Sequence, residues 1–361
     1  MADAVRQRRR LQQPGRENGE DEGAPRPHAD MDRELVQAAA DEHDYAADPE
    51  RWQPYQRAWY ANLVAGKDAA FALAYVACTA AYVALTPPYR GATRSGSKFF
   101  SNETRACVTV ALAAFAVAVM YVDIFKSTPP RRGDRKWVLL GGGFAGHFSF
   151  LTVHILMAQV SYWTLCAALE VAWVCAARLP DWGVELLERA VAAAYSMTVF
   201  SSVLGVVLTL LFLKFNWFEA AWRRDVLEMY LKRGNRMFVR KVLITHLPQL
   251  PIALFDLVAL KQTHGILEAC TPSVVALLAV SVAYSGTYLA LTHAAHRANG
   301  GVYPYPFLDK VFATWRGELV FYTAISTLVF LLAVLARLVA VEAALVESTL
   351  GRVLGVRSLQ G

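Results

Sequence analysis

The run AVAAAYSMTVFSSVLGVVLTLLFL, residues 190–213, decides the fold. It holds 24 consecutive residues without a charged side chain. A bilayer core about 30 Å thick is crossed by about 20 residues of helix. Lipid offers no water to the backbone, so the amide and carbonyl groups must bond within the segment, which an α-helix allows. The run therefore predicts a transmembrane helix.

Six more apolar runs reach or approach the same length. They lie at 68–86, 106–125, 148–177, 242–260, 272–292 and 318–341. The chain is 55% hydrophobic, which is more than soluble domains usually contain. The alternation of apolar and polar residues that marks a membrane β-barrel does not occur. These patterns predict an all-α, polytopic transmembrane bundle of six to seven spans.

The ends of the chain differ in composition from the apolar part. Residues 1–50 carry seven Arg against thirteen acids and few apolar side chains, so this segment cannot offset the entropy of ordering. We expect a disordered charged tail at 1–60, a transmembrane domain at 61–345 and a short tail at 346–361. The basic stretch RQRRR at 6–10 could touch anionic lipid, but the neighbouring acids favour a solvated tail.

Basic residues in the connections predict an orientation. Connections 126–146, 214–241 and 293–317 carry sixteen Lys and Arg, and the alternate set carries seven. The first set and the N-terminus are therefore expected in the cytosol. Aromatic and basic residues at near-helical spacing in 214–241 predict an interfacial helix on anionic lipid, with a partner-binding helix as the alternative. Membrane lipids, rather than nucleic acid, are the expected partners.

Thr152 lies in an apolar stretch, GHFSFLTVHILMAQ at 146–159, and is a candidate nucleophile only with a base. A threonine in a membrane helix usually bonds the carbonyl one turn back. At about 100° per residue, His154 lies about 200° around the helix from Thr152, and His147 about 140°. Neither can serve as the base on a continuous helix, so a base must come from another segment.

His246 begins such a segment, HLPQLPIALFD at 246–256. Pro248 and Pro251 are expected to disturb the helix and free backbone carbonyls. A histidine at this point is either functional or bonded to a carbonyl at the helix end. Asp256 lies ten residues on, about 15 Å along a helix, so it is expected to pair with another helix rather than with the His246 ring.

Other motifs do not predict a metal or cofactor. His293 and His296 form one HxxH pair, whereas di-iron sites need several histidine boxes. The five cysteines include no CxxC pair, which favours buried thiols. Gly141 to Gly143 lack the Gly-Lys-Ser/Thr of a phosphate loop and are expected to form a bend. We therefore expect neither a cofactor nor a metal.

Three landmarks occur in order: FLT with Thr152, HLPQLPIALFD with His246, and GVYPYPFLD at 301–309. Together they resemble the androgen-induced protein and androgen-dependent TFPI-regulating protein family, over roughly residues 106–341. The resemblance implies a multi-pass membrane hydrolase that cleaves fatty acid esters of hydroxy fatty acids. It also implies that Thr152 is the nucleophile and His246 its partner. The first span and the N-terminal tail look like additions to the family pattern.

The chemistry that the resemblance implies is coherent. A threonine hydroxyl needs a base to become a nucleophile, and a neutral imidazole is suited to that role. Gln159, Gln249 and the tyrosines of YPYP are candidate donors to an oxyanion. A lipid-binding or regulatory scaffold and a proton-coupled transporter using intramembrane histidines are the alternatives. We expect an integral membrane protein of the endomembranes or the plasma membrane.

Overall fold

The structure is a computed structural model that describes residues 67–89, 100–125, 148, 150–174, 179–214, 243–261, 266–298 and 301–353. Every regular element within these ranges is helical. Seven helical segments in them are long and apolar enough to cross a membrane. The prediction of an all-α, polytopic transmembrane bundle is confirmed, with seven spans. The chain is a multi-pass membrane protein.

The helices are numbered here in chain order. They are α1 (Lys67–Leu85), α2 (Asn102–Phe125), α3 (Leu151–Val174), α4 (Asp181–Phe212), α5 (Gln249–Phe255), α6 (Ile266–Cys270), α7 (Val274–Ala298), α8 (Pro306–Val311) and α9 (Trp315–Val353). Helix α5 is the middle of a fifth span, Leu243–Leu260, which also includes a helical turn before it and a π-helical segment, Asp256–Leu260, after it.

Two connections expected from the sequence are partly helical instead. Helix α4 begins at Asp181, nine residues before the apolar run, and Glu185 and Arg189 form an ion pair one turn apart on this extension. Helix α7 continues to Ala298, so His293 and His296 lie in its last turns. Apolar runs mark the part of a helix that lipid or core can cover, and helices continue beyond it where side chains pair along the surface.

Helix α4 is the centre of the bundle. Its side chains are mostly buried, in line with an apolar sequence that has no polar face. It packs against α3 in antiparallel register. The Gln159 amide donates to the Ser201 carbonyl at 2.7 Å, and the Tyr162 and Thr198 hydroxyls lie 2.9 Å apart. The short polar side chains of α4 thus bond its neighbours, as is common where membrane helices meet.

The fifth span is broken where the prolines predict a break. The chain turns at Leu247 and Pro248 before α5 begins at Gln249. Gly205 of α4 lets this span approach closely, because a Cβ there would lie 3.0 Å from the Gln249 carbonyl oxygen. The span ends in a π-helical segment in which the Lys261 amide donates to the Asp256 carbonyl at 2.9 Å.

Helix α3 and the fifth span run parallel to each other. Tyr162 donates to an Asp256 carboxylate oxygen, across 94 residues of sequence. Lys261 donates to the Cys166 sulfur at 3.2 Å, across 95 residues. A nearly constant separation means that the two segments advance together along the bundle. Asp256 therefore pairs with another helix, as the sequence indicated.

Several predictions fall outside the described residues. These are the tail at 1–60, the bend at Gly141 to Gly143, the position of His147 and the interfacial helix, apart from its first residue, in 214–241. At the C-terminal end, helix α9 runs through Val353 and so includes part of the predicted tail at 346–361.

Candidate functional site

Thr152 lies in the first turn of α3, half-buried, beside the YPYP stretch. The hydroxyl of Tyr305 accepts a hydrogen bond from the Leu151 amide at 3.1 Å. Thr152 lies beside the same hydroxyl, close enough to lower its pKa. The Tyr305 ring meets Phe150 edge to face, with ring centres 5.8 Å apart. Two of the sequence landmarks, FLT and YPYP, therefore meet at one point.

The loop that carries Tyr305 is fastened to the end of α7 and the start of α9. The His293 Nε2 lies 3.0 Å from a carboxylate oxygen of Glu318, and its Nδ1 lies 3.2 Å from the Tyr303 hydroxyl. The His296 ring stacks on the Tyr303 ring at 3.8 Å between centres. These contacts hold Tyr303 and, two residues on, Tyr305.

Tyr305 is a neutral phenol in this setting. Burial raises the pKa of its hydroxyl above the ordinary range, while the hydrogen bonds to Thr152 and Leu151 pull the pKa down by a smaller amount. A neutral phenol has one hydrogen to donate and lone pairs to accept with. With the Leu151 amide bonded to its oxygen, the Tyr305 hydrogen is available to orient a neighbouring group.

His246 lies at the start of the fifth span, half-buried against the end of α4. Its ring stacks on Phe212 with centres 4.8 Å apart, and its carbonyl accepts a hydrogen bond from the Thr209 hydroxyl at 2.7 Å. Its backbone is thus fixed beside the proline-disturbed turn.

Thr152 and His246 lie at the same level of the bundle. Tyr162 and Asp256 are in contact, and each candidate precedes its member of that pair by ten residues (162 − 152 and 256 − 246). At 1.5 Å per residue, both lie about 15 Å toward the same end. The structure brings them to one end of the bundle, where Thr152 contacts Tyr305 and His246 stacks on Phe212.

His154 is held by two hydrogen bonds of its own. Its Nδ1 lies 2.7 Å from the Tyr75 hydroxyl, and its Nε2 lies 2.6 Å from the Phe148 carbonyl oxygen. A carbonyl can only accept, so Nε2 carries the hydrogen and Nδ1 accepts from Tyr75. The ring is buried. This histidine ties α1 and α3 together, in agreement with the helical geometry that excluded it as the base for Thr152.

The glutamine candidates for an oxyanion donor are already engaged. The Gln159 amide donates to the Ser201 carbonyl, and its oxygen accepts from the Ser201 hydroxyl at 3.1 Å. The Gln249 amide donates to the Thr245 carbonyl at 3.3 Å. Of the candidates that the sequence offered, Tyr305 is the one whose hydroxyl contacts Thr152.

The HxxH histidines are occupied with protein groups. His293 bonds Glu318 and Tyr303, and His296 stacks on Tyr303. Within the part of the chain that the structure describes, no group of three or more His, Cys, Asp or Glu side chains could hold a metal ion. His293 and His296 therefore help to hold the loop that carries Tyr303 and Tyr305.

A family profile described as FAR-17a/AIG1-like protein matches residues 106–340, well over half of the chain. The chain belongs to this family. The resemblance to the androgen-induced proteins is thereby confirmed. The match begins within α2, so α1 and the preceding residues lie outside the FAR-17a/AIG1-like region. Neither a curated protein nor a solved structure matches the chain.

Several residues that shape this end of the FAR-17a/AIG1-like domain could not be identified from the sequence alone. Tyr305 entered only as one of several tyrosines, although the YPYP landmark was the available signal. Glu318 lies in the first turn of α9, where the helix dipole favours an acid in any case, so its position in the sequence did not indicate the His293 contact. Nothing in the sequence pointed to Tyr75, because its partner His154 is 79 residues away.

Proposed function

We propose that this protein is a membrane lipid ester hydrolase that uses Thr152 as nucleophile and His246 as base. Fatty acid esters of hydroxy fatty acids are the proposed substrates, as the family resemblance implies. The observation that carries the proposal is the common level of Thr152 and His246 at one end of the bundle, ten residues above the Tyr162–Asp256 contact. Membership of the FAR-17a/AIG1-like family supports it.

The proposed reaction has two stages. The Thr152 oxygen attacks the ester carbonyl while the His246 imidazole takes the hydroxyl proton. The tetrahedral intermediate collapses, the proton passes from His246 to the departing alkoxide, and the hydroxy fatty acid leaves. The acyl group remains esterified to Thr152. Water, deprotonated by His246, then attacks that ester; the proton passes from His246 to the departing Thr152 oxygen, and the fatty acid is released.

The surroundings of Thr152 suit this chemistry. Lipid esters partition into the membrane, and a site with little water strengthens the hydrogen bonds that orient reacting groups. The neutral Tyr305 hydroxyl can donate to the Thr152 oxygen in the free enzyme, or to the carbonyl oxygen as negative charge develops on it. The imidazole of His246 must reach within about 2.6–3.2 Å of the hydroxyl, directly or through one water.

The test is hydrolysis of a palmitate ester of a hydroxystearic acid by the purified protein. Thr152→Ala and His246→Ala are expected to lower turnover by at least about a hundredfold, since general base catalysis alone contributes roughly 10²–10⁴-fold. Thr79→Ala is the matched control, because its hydroxyl only bonds the Tyr75 carbonyl one turn back, at 2.9 Å. Wild-type turnover in Thr152→Ala would rule out the proposed nucleophile.

Assays on the same purified protein distinguish the hydrolase from two other functions. A scaffold of the same fold gives no ester turnover in any variant. A proton-coupled transporter gives pH-dependent flux that is lost on replacing His293 or His154 and unaffected by Thr152→Ala. The contacts of His154 and His293 with fixed protein groups favour structural roles for both rings.

A further inference from the structure

Asp123 lies in the last turn of α2, at the end of the second span. Its side chain is half-buried. A carboxylate is unfavourable here on two counts. The C-terminal end of a helix carries partial negative charge, and the edge of the bilayer core offers a charged group less water than the bulk does. Departures from local rules of this kind are expected at functional sites.

Helices α2 and α3 pack antiparallel. Arg105, in the first turn of α2, forms an ion pair with Glu170 near the end of α3, with 3.0 Å between nitrogen and oxygen. Val119 and Met120, near the end of α2, share a buried apolar cluster with Val153 in the first turn of α3. The start of each helix therefore lies beside the end of the other.

The Arg105–Glu170 pair fixes which residues face each other at the opposite end of these helices. Asp123 follows Arg105 by eighteen residues, and Thr152 precedes Glu170 by eighteen (123 − 105 and 170 − 152). Eighteen residues make five complete turns, about 27 Å along a helix. Asp123 therefore shares the face of α2 that turns toward α3. Thr152 shares the face of α3 that turns toward α2, at the same level.

Tyr305 gives independent support for this position of Asp123. Burial raises the pKa of the Tyr305 hydroxyl, and the negative charge of the Asp123 carboxylate raises this pKa further. The same hydroxyl lies 3.1 Å from the Leu151 amide nitrogen, next to Thr152. A carboxylate that acts on this phenol lies near the start of α3, where the register of α2 and α3 also puts it.

The face of α3 that carries Thr152 also borders the span that carries His246. Cys166 follows Thr152 by fourteen residues and lies about 40° around the helix from it. Its sulfur accepts a hydrogen bond from Lys261, directly after the fifth span. Thr152 therefore faces the space shared by Asp123 on α2 and by the fifth span, on which His246 lies at the same level.

We propose that Asp123 is a positioning residue for ester hydrolysis, whose carboxylate accepts a hydrogen bond from the His246 imidazole. This inference rests on the proposed function. The carboxylate fixes the hydrogen on one ring nitrogen and leaves the other free to act as base toward Thr152. When that nitrogen takes the hydroxyl proton, the carboxylate stabilises the imidazolium. Asp123 stays ionised throughout, so the proton transfers of the proposed reaction are unchanged.

The test is the pH dependence of ester turnover by purified Asp123→Asn protein. We expect kcat to fall by at least about tenfold with KM nearly unchanged, since loss of a triad carboxylate can cost about 10⁴-fold. A neighbouring carboxylate favours the protonated form of an imidazole, so its loss should move the acid limb of the kcat profile to lower pH. Asp123→Glu should restore the position of this limb, which a merely structural role would not move.

Asp181→Asn is the matched control for this substitution. Asp181 is exposed in the first turn of α4, whereas Phe212, at the other end of the same helix, contacts His246. Its kcat and acid limb should be those of the wild type. Wild-type kcat in Asp123→Asn, or a lower kcat with an unmoved acid limb, overturns the role of Asp123 alone. Wild-type turnover in Thr152→Ala overturns the proposed function as well.

Cross-linking tests the placement of Asp123 without using activity, so the proposal stays testable should Asp123→Asn fail to fold. In the double variant Asp123→Cys, Thr152→Cys, a short bismaleimide should join α2 to α3, as identified by mass spectrometry of the linked peptides. Tyr121→Cys with Thr152→Cys is the control, because Tyr121 is exposed and lies about 200° around α2 from Asp123. Equal linking of both pairs, or no linking of the Asp123 pair, overturns the proposal.

Discussion

The hydroxyl of Tyr305 accepts a hydrogen bond from the Leu151 amide at 3.1 Å, across 154 residues of sequence. Thr152, the next residue, lies beside the same hydroxyl and lowers its pKa. One phenol therefore holds the first turn of α3 and lies next to the side chain proposed as nucleophile. This relationship links the YPYP landmark to the FLT landmark through a contact, where the sequence could offer only their order.

Removing that hydroxyl should impair turnover more than substrate binding. Tyr305→Phe keeps the ring packing on Phe150 and loses the contact with Thr152. A hydrogen bond of about 1.4 kcal/mol corresponds to about a tenfold change in rate. We expect about a tenfold fall in kcat with KM nearly unchanged, measured on the same ester. Tyr322→Phe is the matched control, since that hydroxyl donates only to the Val282 carbonyl, at 3.2 Å. Equal effects in the two variants would exclude a role through Thr152.

Gly205 sets the distance between α4 and the span that carries His246. A Cβ at this position would lie 3.0 Å from the Gln249 carbonyl oxygen and 3.3 Å from the Ala253 Cβ. Gly205→Ala should destabilise the fold by about 1–3 kcal/mol. It should also displace the His246 turn, and a shift of about 1 Å can cost up to about 100-fold in rate. Thermal unfolding and ester turnover together measure both effects.

Gly286→Ala is the control for that substitution. Its Cβ would lie 3.4 Å from the Tyr322 hydroxyl, the movable end of a side chain. Alanine is the better helix former by up to about 1 kcal/mol, so Gly286→Ala should be neutral or stabilising, with normal turnover. Were both glycine variants equally harmful, close packing of α4 on the fifth span would not explain the result.

His154 should matter for stability rather than for catalysis. His154→Leu leaves the Tyr75 hydroxyl and the Phe148 carbonyl without their present partners. An unsatisfied buried polar group costs about 1–3 kcal/mol. We expect His154→Leu to have a lower melting temperature and an unchanged turnover per folded molecule. The melting temperature of Tyr75→Phe should fall by a smaller amount. A large loss of turnover in a stable His154→Leu protein would argue for a reacting role.

The sequence predicts more of the fold than of the candidate site. Each span can be recognised from its own stretch of sequence, because about 20 apolar residues are needed to cross lipid. The break at Pro248 is equally local, since proline lacks the amide hydrogen. Exclusion of His154 as a partner for Thr152 needed only helical periodicity. These features were therefore predictable from the sequence alone.

Contacts between distant segments were not predictable in this way. The approach of Tyr305 to Thr152 depends on how the chain packs between them, and so does the parallel register of α3 with the fifth span. The His293–Glu318 contact also needs the actual end of α7, which continues six residues beyond the apolar run 272–292. Family resemblance supplied the pairing of Thr152 with His246, and the common level of the two residues is a structural result.

Cys270 offers a pH-dependent reporter at the end of the bundle that holds Lys261. Burial raises the pKa of its thiol to about 11. The thiolate is the reactive form, so alkylation by N-ethylmaleimide should accelerate about tenfold for each pH unit up to roughly pH 10. Peptide-resolved mass spectrometry of the intact protein follows this cysteine separately from the others. A rate that levels off below pH 9 would contradict the raised pKa.

The most direct test of the central claim is the site at which a fluorophosphonate probe becomes attached. The purified protein is treated with the probe and digested, and the adduct is mapped by mass spectrometry. We predict one modified hydroxyl, that of Thr152, with labelling abolished in Thr152→Ala, strongly reduced in His246→Ala and normal in Thr79→Ala. An adduct on another residue, or unchanged labelling and ester turnover in Thr152→Ala, would contradict it.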